Sequence, residues 1–203
     1  MNIVKQSVEI LTNIDPYVIQ FIEKCGRTCY KSEDKITQNS AEQFVKNIMK
    51  SGHESVIEHY NVTVKFICDR GISHEIVRHR LASYSQESTR YCNYSKNGEI
   101  TVIEPYFKIN TREQRIIWTA ACQQAENYYF VLLKAGASPQ EARAVLPNSL
   151  KTEVVMTANL REWRHFIKMR SASGAHPQIR ELSLKLLEEF KSKIPIIFDD
   201  LGE

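Results

Sequence analysis

Glycine is scarce in this chain: there are seven glycines in 203 residues, and the closest pair, Gly52 and Gly71, lies 19 positions apart. The dinucleotide fingerprint GxGxxG and the phosphate loop GxxxxGK both require glycines within a few residues, where the backbone must approach a phosphate closely. Neither motif can be present. A dinucleotide, if one binds, is therefore not held in the manner of a Rossmann fold or a P-loop.

Long apolar runs and paired cysteines are also missing. No uninterrupted apolar stretch approaches the roughly 20 residues that span a bilayer, and the N-terminus lacks the charged start and apolar stretch of a secretory signal. We therefore expect no membrane association. The cysteine count is odd and contains no CxxC pair, which favours reduced thiols and a cytoplasmic location. The five are Cys25, Cys29, Cys68, Cys92 and Cys122.

The charge balance is mild. The formal net charge is +3, with 25% charged and 42% hydrophobic residues, which is ordinary for a soluble globular protein. This permits anionic small molecules as ligands but gives no reason to expect a nucleic-acid partner, which usually requires a strongly basic face. Because no Pro/Gly/Ser-rich linker divides the chain, we expect one α+β domain over residues 1–203, with a mixed or antiparallel sheet flanked by helices.

Apolar periodicity and capping signals place the elements along the chain. Strands are predicted over residues 1–12, 60–68 and 150–158, with short strands in 91–104 around a turn at 96–98. Helices are predicted over 15–30, 39–52, 71–81, 111–136, 138–147, 160–170 and 177–192. Two helices carry capping boxes by pattern, one starting at Asn39 with Glu42 and one at Thr111 with Gln114.

The segment 78–90 is the most unusual stretch, because three arginines, one histidine and four serine or threonine hydroxyls fall in thirteen positions. Arginine presents a rigid fork of donors that matches phosphate and carbonyl oxygens. The alternative is a solvated basic helix end. Two features argue against that alternative: the arginines of the segment have no acidic partner four positions away, and its Ser83, Ser85, Gln86 and Ser88 disfavour a helix interior but suit ligand binding.

Two further clusters could carry chemistry. Residues 52–59 hold two histidines and two glutamates, which could be a metal site or an exposed helix start. The stretch 74–79 is a near miss for the zinc motif HExxH, but its histidines are five apart, about 140° around a helix, and cannot share a metal as an i, i+4 pair can. We therefore predict no metal site.

The stretch 159–170 predicts an amphipathic helix. At 100° per residue, one face carries Arg161, His165 and Lys168, and the opposite face is apolar. Arg170 falls on the apolar side. Since an unpaired buried guanidinium is very costly, Arg170 needs an anion or carbonyl partner, from a ligand or from an acidic residue elsewhere in the chain.

These three stretches together resemble the flavin-dependent thymidylate synthases. The family motif RHRxxSxxxxSxR is matched at every fixed position, by Arg78, His79, Arg80, Ser83, Ser88 and Arg90. The family pattern GHxSxxEH is matched at residues 52–59, and the spacing of Asn159, Arg161, His165 and Arg170 matches as well. The resemblance covers about residues 52–180.

The resemblance implies an enzyme for dTMP biosynthesis, a methyltransferase that reductively methylates dUMP. It implies methylenetetrahydrofolate as the carbon donor, FAD reduced by NADPH as the hydride carrier, and a homotetramer with shared active sites. Residues implied to contact FAD are Ser55, Arg78, His79, Arg80, Gln86, Asn159, Arg161 and His165. Residues implied to contact dUMP are Glu75, Arg78, Gln86, Glu87, Ser88, Thr89, Arg90, Arg143 and Arg170. His53 is implied to lie at the flavin face where folate and nicotinamide enter.

The side chains suit this chemistry. Methylation of uracil at C5 develops negative charge toward O2, N3 and O4, and a fixed cation there stabilises the transition state. We predict Arg170 as that catalytic residue, and Arg90 and Arg143 with the Ser88 hydroxyl as the phosphate cradle. Only Cys25, next to Lys24, has an adjacent cation, so none of the cysteines looks activated and we predict no enzyme cysteine nucleophile.

Two other classes of function could account for the same residues. A non-enzymatic nucleotide or RNA binder would be colourless and would lose affinity steeply with salt. A metal hydrolase built on the clusters around His53 and His74 would lose activity with a chelator. Neither alternative requires all three motifs at their spacing, so we favour the enzyme.

Overall fold

The computed structural model describes residues 1–96 and 98–202. These described residues form six strands: β1 Asn2–Val4, β2 Ser7–Ile10, β3 Asn61–Asp69, β4 Ala82–Gln86, β5 Thr101–Ile103 and β6 Lys151–Asn159. The α-helices are α1 Val18–Arg27, α2 Ser40–Lys50, α3 Arg70–Ile76, α4 Arg112–Lys134, α5 Pro139–Ala142, α6 Leu160–Arg170, α7 Pro177–Lys193 and α8 Pro195–Phe198. In the described part of the chain, no helix combines the length and apolar character needed to cross a membrane.

The strands form two sheets. One has four strands in the order β2-β3-β6-β4, and the other pairs β1 with β5 in parallel. Strands β3 and β6 run antiparallel, because Tyr60 O accepts from Leu160 N at 3.0 Å while Thr63 Oγ1 lies 2.9 Å from Thr157 Oγ1. The mixed sheet arrangement with flanking helices agrees with the predicted α+β class.

Strands β3 and β6 alternate strictly between buried and half-exposed residues. The buried face of each strand is apolar apart from Thr152, and the other face carries polar side chains apart from Ile67 and Val155. Each strand ends in a side chain that caps the next helix: Asp69 Oδ1 accepts from Ile72 N at 2.7 Å, and Asn159 Oδ1 accepts from Glu162 N at 2.9 Å. Both strands were predicted within one residue at each end.

The chain divides into two compact units. The first comprises Met1–Ser7, Phe66–Arg78 and Ser85–Val155, and the second comprises Val8–Lys65, His79–Tyr84 and Met156–Glu203, described to residue 202. Four of the five unit boundaries fall within strands, and the fifth lies between Arg78 and His79, ahead of β4. The expectation of one domain over 1–203 stays a prediction.

The first unit has a small core built around helix α4. Ile100, Val102, Cys122 and Leu150 are buried together, and Trp118 packs against them while its Nε1 donates to Ser149 Oγ at 3.0 Å. The predicted capping box of this helix is confirmed: Gln114 N donates to Thr111 Oγ1 at 3.2 Å, and Thr111 N donates to Gln114 Oε1 at 3.0 Å.

The second unit has an aromatic core. Trp163 on α6 is fully buried, donates from Nε1 to Val62 O at 3.0 Å, and contacts Phe166 and Phe190 with ring centroids 5.6 and 5.8 Å apart. Phe190 on α7 stacks on Phe198 at 4.4 Å with nearly parallel rings. This core explains why α6 has one apolar face, as predicted.

Several predicted boundaries were wrong. The strand predicted over 1–12 is two short strands, and the region 91–104 contains β5 and a short 3₁₀ turn at Tyr94–Lys96; position 97 of the predicted turn lies outside the described residues. The helix predicted over 138–147 ends its α-helical part at Ala142 and continues as the 3₁₀ turn Arg143–Val145.

The capping box predicted at Asn39 is also wrong, because Asn39 makes no side-chain cap bond. Its intended partner Glu42 pairs with Lys46 one turn further along the helix. The Ser40 hydroxyl instead accepts from Thr37 N at 2.9 Å and donates to Glu23 Oε2 at 2.8 Å. Competing side-chain partners therefore displaced the expected cap.

Candidate active site

The arginine-rich segment begins where helix α3 ends. The helix predicted to reach residue 81 stops at Ile76. Within the second unit, the carbonyl oxygen of His79 accepts from Arg80 Nη1 at 3.0 Å and from Tyr84 Oη at 2.9 Å. These side-chain bonds occupy the acceptor that a continuing helix would offer to the backbone N–H of Ser83. Beyond His79 the segment runs into strand β4.

His79 is the centre of the site in the second unit, and it is only 4% exposed. Its Nδ1 lies 3.1 Å from Glu162 Oε1, and its Nε2 accepts from Arg170 Nε at 3.0 Å. The imidazole also packs on Phe166 and His165, with ring centroids 4.7 and 5.6 Å apart. Two of the three sequence clusters, the RHR segment and helix α6, therefore meet at this imidazole.

The imidazole is held neutral. Burial, followed by the charge of Arg170 and the neighbouring His165, lowers the pKa of His79 to about 4. The contact with Glu162 is thus a hydrogen bond from a neutral imidazole to a carboxyl group. The prediction that Arg170 needs an anion or a carbonyl is met in another way, since one of its partners is an imidazole lone pair.

A cavity of about 520 Å³ opens next to this cluster. Such a volume is within the usual range of small-molecule sites, about 300–1,000 Å³. Its lining contains several cationic side chains together with three carboxylates: Glu54, Glu58, Arg80, Leu81, Asn159, Arg161, Glu162, Arg164, His165, Lys168 and Leu201. Four of the predicted FAD contacts therefore line one cavity: Arg80, Asn159, Arg161 and His165.

Two arginines of helix α6 hold the carboxylates of this cavity. Arg161 Nη1 lies 2.6 Å from Glu58 Oε1, and its Nε lies 3.8 Å from Glu54 Oε2. Arg164 is buried and makes a bidentate pair with Asp200, at 2.6 and 2.7 Å. Since Glu54 and Glu58 are each neutralised by an arginine, the cavity keeps a positive character that suits a phosphate group.

One group of side chains in the second unit bears on the prediction that the protein has no metal site. His79, Glu162 and His165 place one ligand atom each within 4.8 Å of one another. Nδ1 and Nε2 of His79 are already hydrogen-bonded, and the guanidinium of Arg170 is 3.0 Å from the imidazole, where it opposes a second cation. This group contains neither His53 nor His74, on which the hydrolase alternative depends. The absence of a metal site stays a prediction.

The first unit holds most of the predicted dUMP contacts. Arg143 Nη1 donates to Thr89 Oγ1 at 3.1 Å, which joins two of them. Ser88 Oγ accepts from Arg90 N at 3.3 Å, and the Arg90 side chain is exposed with its guanidinium 5.5 Å from the Tyr91 ring. The structure thus groups Ser88, Thr89, Arg90 and Arg143 as donors on one unit.

Two other predicted contacts in this unit have internal partners. Gln86 Nε2 donates to Ser73 Oγ at 2.9 Å and to Thr152 Oγ1 at 3.3 Å, both buried hydroxyls. Glu87 accepts from Lys151 Nζ at 3.2 Å and from Tyr94 Oη at 3.3 Å. The pKa of Tyr94 is raised, mainly by burial and then by the charge of Glu87, so the phenol stays a donor.

The remaining predicted residues lie elsewhere. His53 and Ser55 are exposed at the start of the 3₁₀ segment Glu54–His59, and neither is among the described residues that line the cavity. Arg78 is exposed and Glu75 half-exposed, both in the first unit. The structure therefore brings together the RHR segment and α6, and separately Thr89 and Arg143.

The sequence analysis missed Glu162, Arg164 and Asp200. The spacing of Asn159 and Glu162 is that of a capping box, which would assign the Glu162 carboxylate to the helix start. Its Oε1 instead contacts His79, 83 residues away in the chain. No sequence pattern signals a contact of this range.

Comparison with known proteins agrees with the geometry. The family model described as thymidylate synthase complementing protein matches residues 11–196. The chain belongs to the flavin-dependent thymidylate synthase family. Among the relatives that carry this name, the Geobacter sulfurreducens protein is 36% identical over 184 residues, covering 87% of this chain and 79% of the relative. The Pyrococcus furiosus protein is 34% identical, covering 83% of this chain and 70% of the relative.

A solved structure supports the fold of this family member. It is the UMP/dUMP methylase PolB from Streptomyces cacaoi bound with 5-Br dUMP, with a TM-score of 0.79 and 22% sequence identity. The match covers 98% of this chain and 96% of that chain. Membership of the flavin-dependent thymidylate synthase family makes the protein an enzyme, a methyltransferase by its relatives' names.

Proposed function

We propose that this flavin-dependent thymidylate synthase family member reductively methylates dUMP to dTMP. Methylenetetrahydrofolate supplies the carbon, and FAD reduced by NADPH supplies the hydride. The observation that carries the proposal is the bond between Arg170 and His79, because it joins the end of α6 to the RHR motif by a 3.0 Å contact. Two motifs far apart in the chain thus meet at one place. Arg170 must lie beside the RHR motif if it is to act on a uracil ring bound there.

The cavity in the second unit fits the flavin cofactor in its chemistry. Arg80, Arg161 and Lys168 offer cationic donors for a diphosphate, and His165 and Asn159 offer neutral polar groups. When bound, FAD supplies hydride transfer, and the protein supplies binding and orientation. On this proposal Arg161 exchanges Glu58 for a phosphate oxygen, since its guanidinium is half-exposed at the cavity.

The group of donors in the first unit fits a nucleoside monophosphate. Arg143, Arg90 and the hydroxyls of Ser88 and Thr89 provide the charge and hydrogen bonds that a phosphate dianion needs. Arg170 is proposed to stabilise the negative charge that develops on the uracil carbonyls. Gln86, at the end of β4, and Glu87 anchor the segment that leads into Ser88, Thr89 and Arg90 through their bonds to Ser73 and Lys151.

A cysteine nucleophile is not part of the proposed reaction. All five thiols are free, and the two buried ones are poor nucleophiles because burial raises their pKa, that of Cys68 to about 12. Free thiols are also consistent with the proposed cytoplasmic location.

The homotetramer with shared active sites is part of the proposal. Its support is the outer face of α4, where Ile117, Tyr128 and Val131 are each more than half exposed. Apolar side chains aligned on one face of a long helix are typical of a surface that packs against another chain.

The experiment is a reconstitution with omissions. Purified protein is mixed with FAD, dUMP, methylenetetrahydrofolate and NADPH, and dTMP is measured by chromatography while each component is left out in turn. We expect a protein that is yellow as purified or turns yellow with added FAD, and no dTMP when dUMP, methylenetetrahydrofolate or NADPH is left out. A colourless protein that binds dUMP with a steep salt dependence would favour the nucleotide-binder alternative, and loss of dTMP with a chelator would favour a metal enzyme. Arg112→Ala, on the exposed start of α4, is the matched control for arginine variants.

A further inference from the structure

The hydrogen-bonded series Glu162–His79–Arg170 allows only one placement of the proton on the neutral imidazole. The Nε of arginine always carries hydrogen and can only donate, so Nε2 of His79 must present its lone pair to Arg170. The proton of the neutral imidazole is therefore on Nδ1, where it is donated to Glu162 Oε1 at 3.1 Å. Glu162 thus selects the tautomer that lets His79 accept from Arg170.

Burial of these groups means that solvent cannot replace the two hydrogen bonds of the His79 ring. His79 is 4% exposed, and the Glu162 side chain is 11% exposed. The ring is also held from the side by Phe166 at 4.7 Å. If the acceptor on Nδ1 were lost, the other tautomer would put a hydrogen on Nε2, and that hydrogen would face the Nε–H of Arg170. Two donors cannot bond, so the bond that His79 makes to the guanidinium would be lost.

We propose that Glu162 is a positioning residue, which acts through the His79 imidazole to fix the guanidinium of Arg170 against the substrate. The inference rests on the proposed function for the role of Arg170, but the tautomer it assigns does not. Glu162 occupies the place of the orienting acid in a carboxylate–histidine pair, with the arginine as the group that is oriented. The low pKa of His79 keeps the imidazole neutral throughout the physiological range.

The first test is kinetic and uses a double-mutant cycle. Glu162→Ala should lower kcat for dTMP formation by on the order of 30- to 100-fold, the usual cost of a misplaced catalytic group. Glu162→Gln keeps an acceptor oxygen and should recover most of that loss. In an Arg170→Lys background, which has no Nε–H to orient, Glu162→Ala should change kcat by less than about 2-fold. Glu188→Ala, an exposed glutamate on α7, is the control.

The second test is spectroscopic and does not depend on turnover. Nitrogen NMR of the His79 ring should report the Nδ1–H tautomer in the wild type and in Glu162→Gln, and a mixture or the opposite tautomer in Glu162→Ala. Flavin content and thermal melting are measured on every variant, and we expect both to stay near wild type.

Three results would overturn the proposal. The first is a wild-type kcat in Glu162→Ala. The second is an equal fall in both arginine backgrounds, and the third is a fall that simply follows lost flavin or lost folding. If the wild type makes no dTMP at all, the proposed function fails, while the tautomer measurement still decides whether Glu162 orders the His79–Arg170 pair.

Discussion

Nη1 of Arg143 donates a hydrogen bond to Oγ1 of Thr89 at 3.1 Å, across 54 residues of chain. Thr89 is nearly buried, so this bond holds the guanidinium of an otherwise flexible side chain at the edge of the segment that carries Ser88 and Arg90. A fixed guanidinium loses less entropy when it binds a phosphate than a mobile one does.

Arg143→Ala should therefore weaken dUMP binding. A hydrogen bond to a charged group contributes about 1.5–3 kcal/mol, roughly a 10- to 100-fold increase in Kd. Thr89→Val removes only the hydrogen bond that supports Arg143 and should raise the Kd for dUMP a few-fold. Calorimetric titration checks both variants, with deoxyuridine as the control ligand. Because deoxyuridine has no phosphate, its affinity should be unchanged; an equal loss for both ligands would contradict the phosphate role.

Arg170 and Ser88 are predicted to differ in importance. Arg170→Ala removes the cation that stabilises charge on the uracil ring and should remove most activity, on the order of 100-fold or more in kcat. Ser88→Ala removes one hydroxyl ligand and should leave measurable activity. Steady-state dTMP formation at saturating dUMP checks the pair. The reverse order, with Ser88 essential and Arg170 dispensable, would instead point to Ser88 as the nucleophile.

Stability should depend on pH through His79. The pKa of this imidazole is about 4 in the folded protein, against about 6.5 in an unfolded chain. Between these values the unfolded state binds more protons, so the free energy of unfolding rises with pH. The contribution is fully present above pH 6.5 and is lost as the pH falls toward 4, by about 3 kcal/mol in total.

Urea unfolding at several pH values measures this dependence. His79→Gln is the comparison, because it cannot titrate in this range. The difference in unfolding free energy between wild type and variant should shrink as the pH falls from 6.5 to 4. A difference that stays constant over this range would show that His79 does not carry the dependence.

The ion pair of Arg164 with Asp200 should stabilise the C-terminal helix of the second unit. Arg164 is buried and donates two hydrogen bonds to the Asp200 carboxylate, whose pKa is lowered chiefly by the hydrogen bond from Arg164. Asp200→Ala leaves the guanidinium with fewer partners. Since the Asp200 side chain is largely exposed, we expect a loss of roughly 1–3 kcal/mol, less than for a fully buried pair.

Thermal or urea unfolding of Asp200→Ala checks this value. Asp199→Ala is the matched control, because it removes an exposed carboxylate one position earlier and should stay near wild type. Equal destabilisation by the two variants would mean that the Arg164 pair contributes nothing of its own.

Activity should survive the loss of each cysteine in turn. Five single Cys→Ala variants, assayed for dTMP formation and for bound flavin, should each keep kcat within about 10-fold of the wild type, because covalent nucleophiles are far more costly to remove. For the variants at the two buried positions, Cys68 and Cys122, melting temperatures are measured first, so that loss of folding is not read as loss of activity. One variant that binds flavin and dUMP normally but does not turn over would reveal a cysteine nucleophile.

Local patterns in the sequence were sufficient for much of the fold. The alternation in β3 and β6, the capping box at Thr111 and the apolar face of α6 each depend on residues within one or two turns of each other. The spacing of residues is enough to detect such patterns, because side-chain direction repeats every 2 residues in a strand and every 3.6 in a helix. The spacing of three motifs also sufficed for the family.

Contacts between distant residues were decided only by the tertiary structure. The His79 carbonyl accepts from the side chains of Arg80 and Tyr84, and Glu162 and Arg164 acquire partners 83 and 36 residues away. Burial then changes what these groups can do, as it does for the pKa of His79. The sequence by itself determined which side chains this protein has for its chemistry. Which of them touch depended on chain packing, because hydrogen bonds and burial are set by distances that no local pattern encodes.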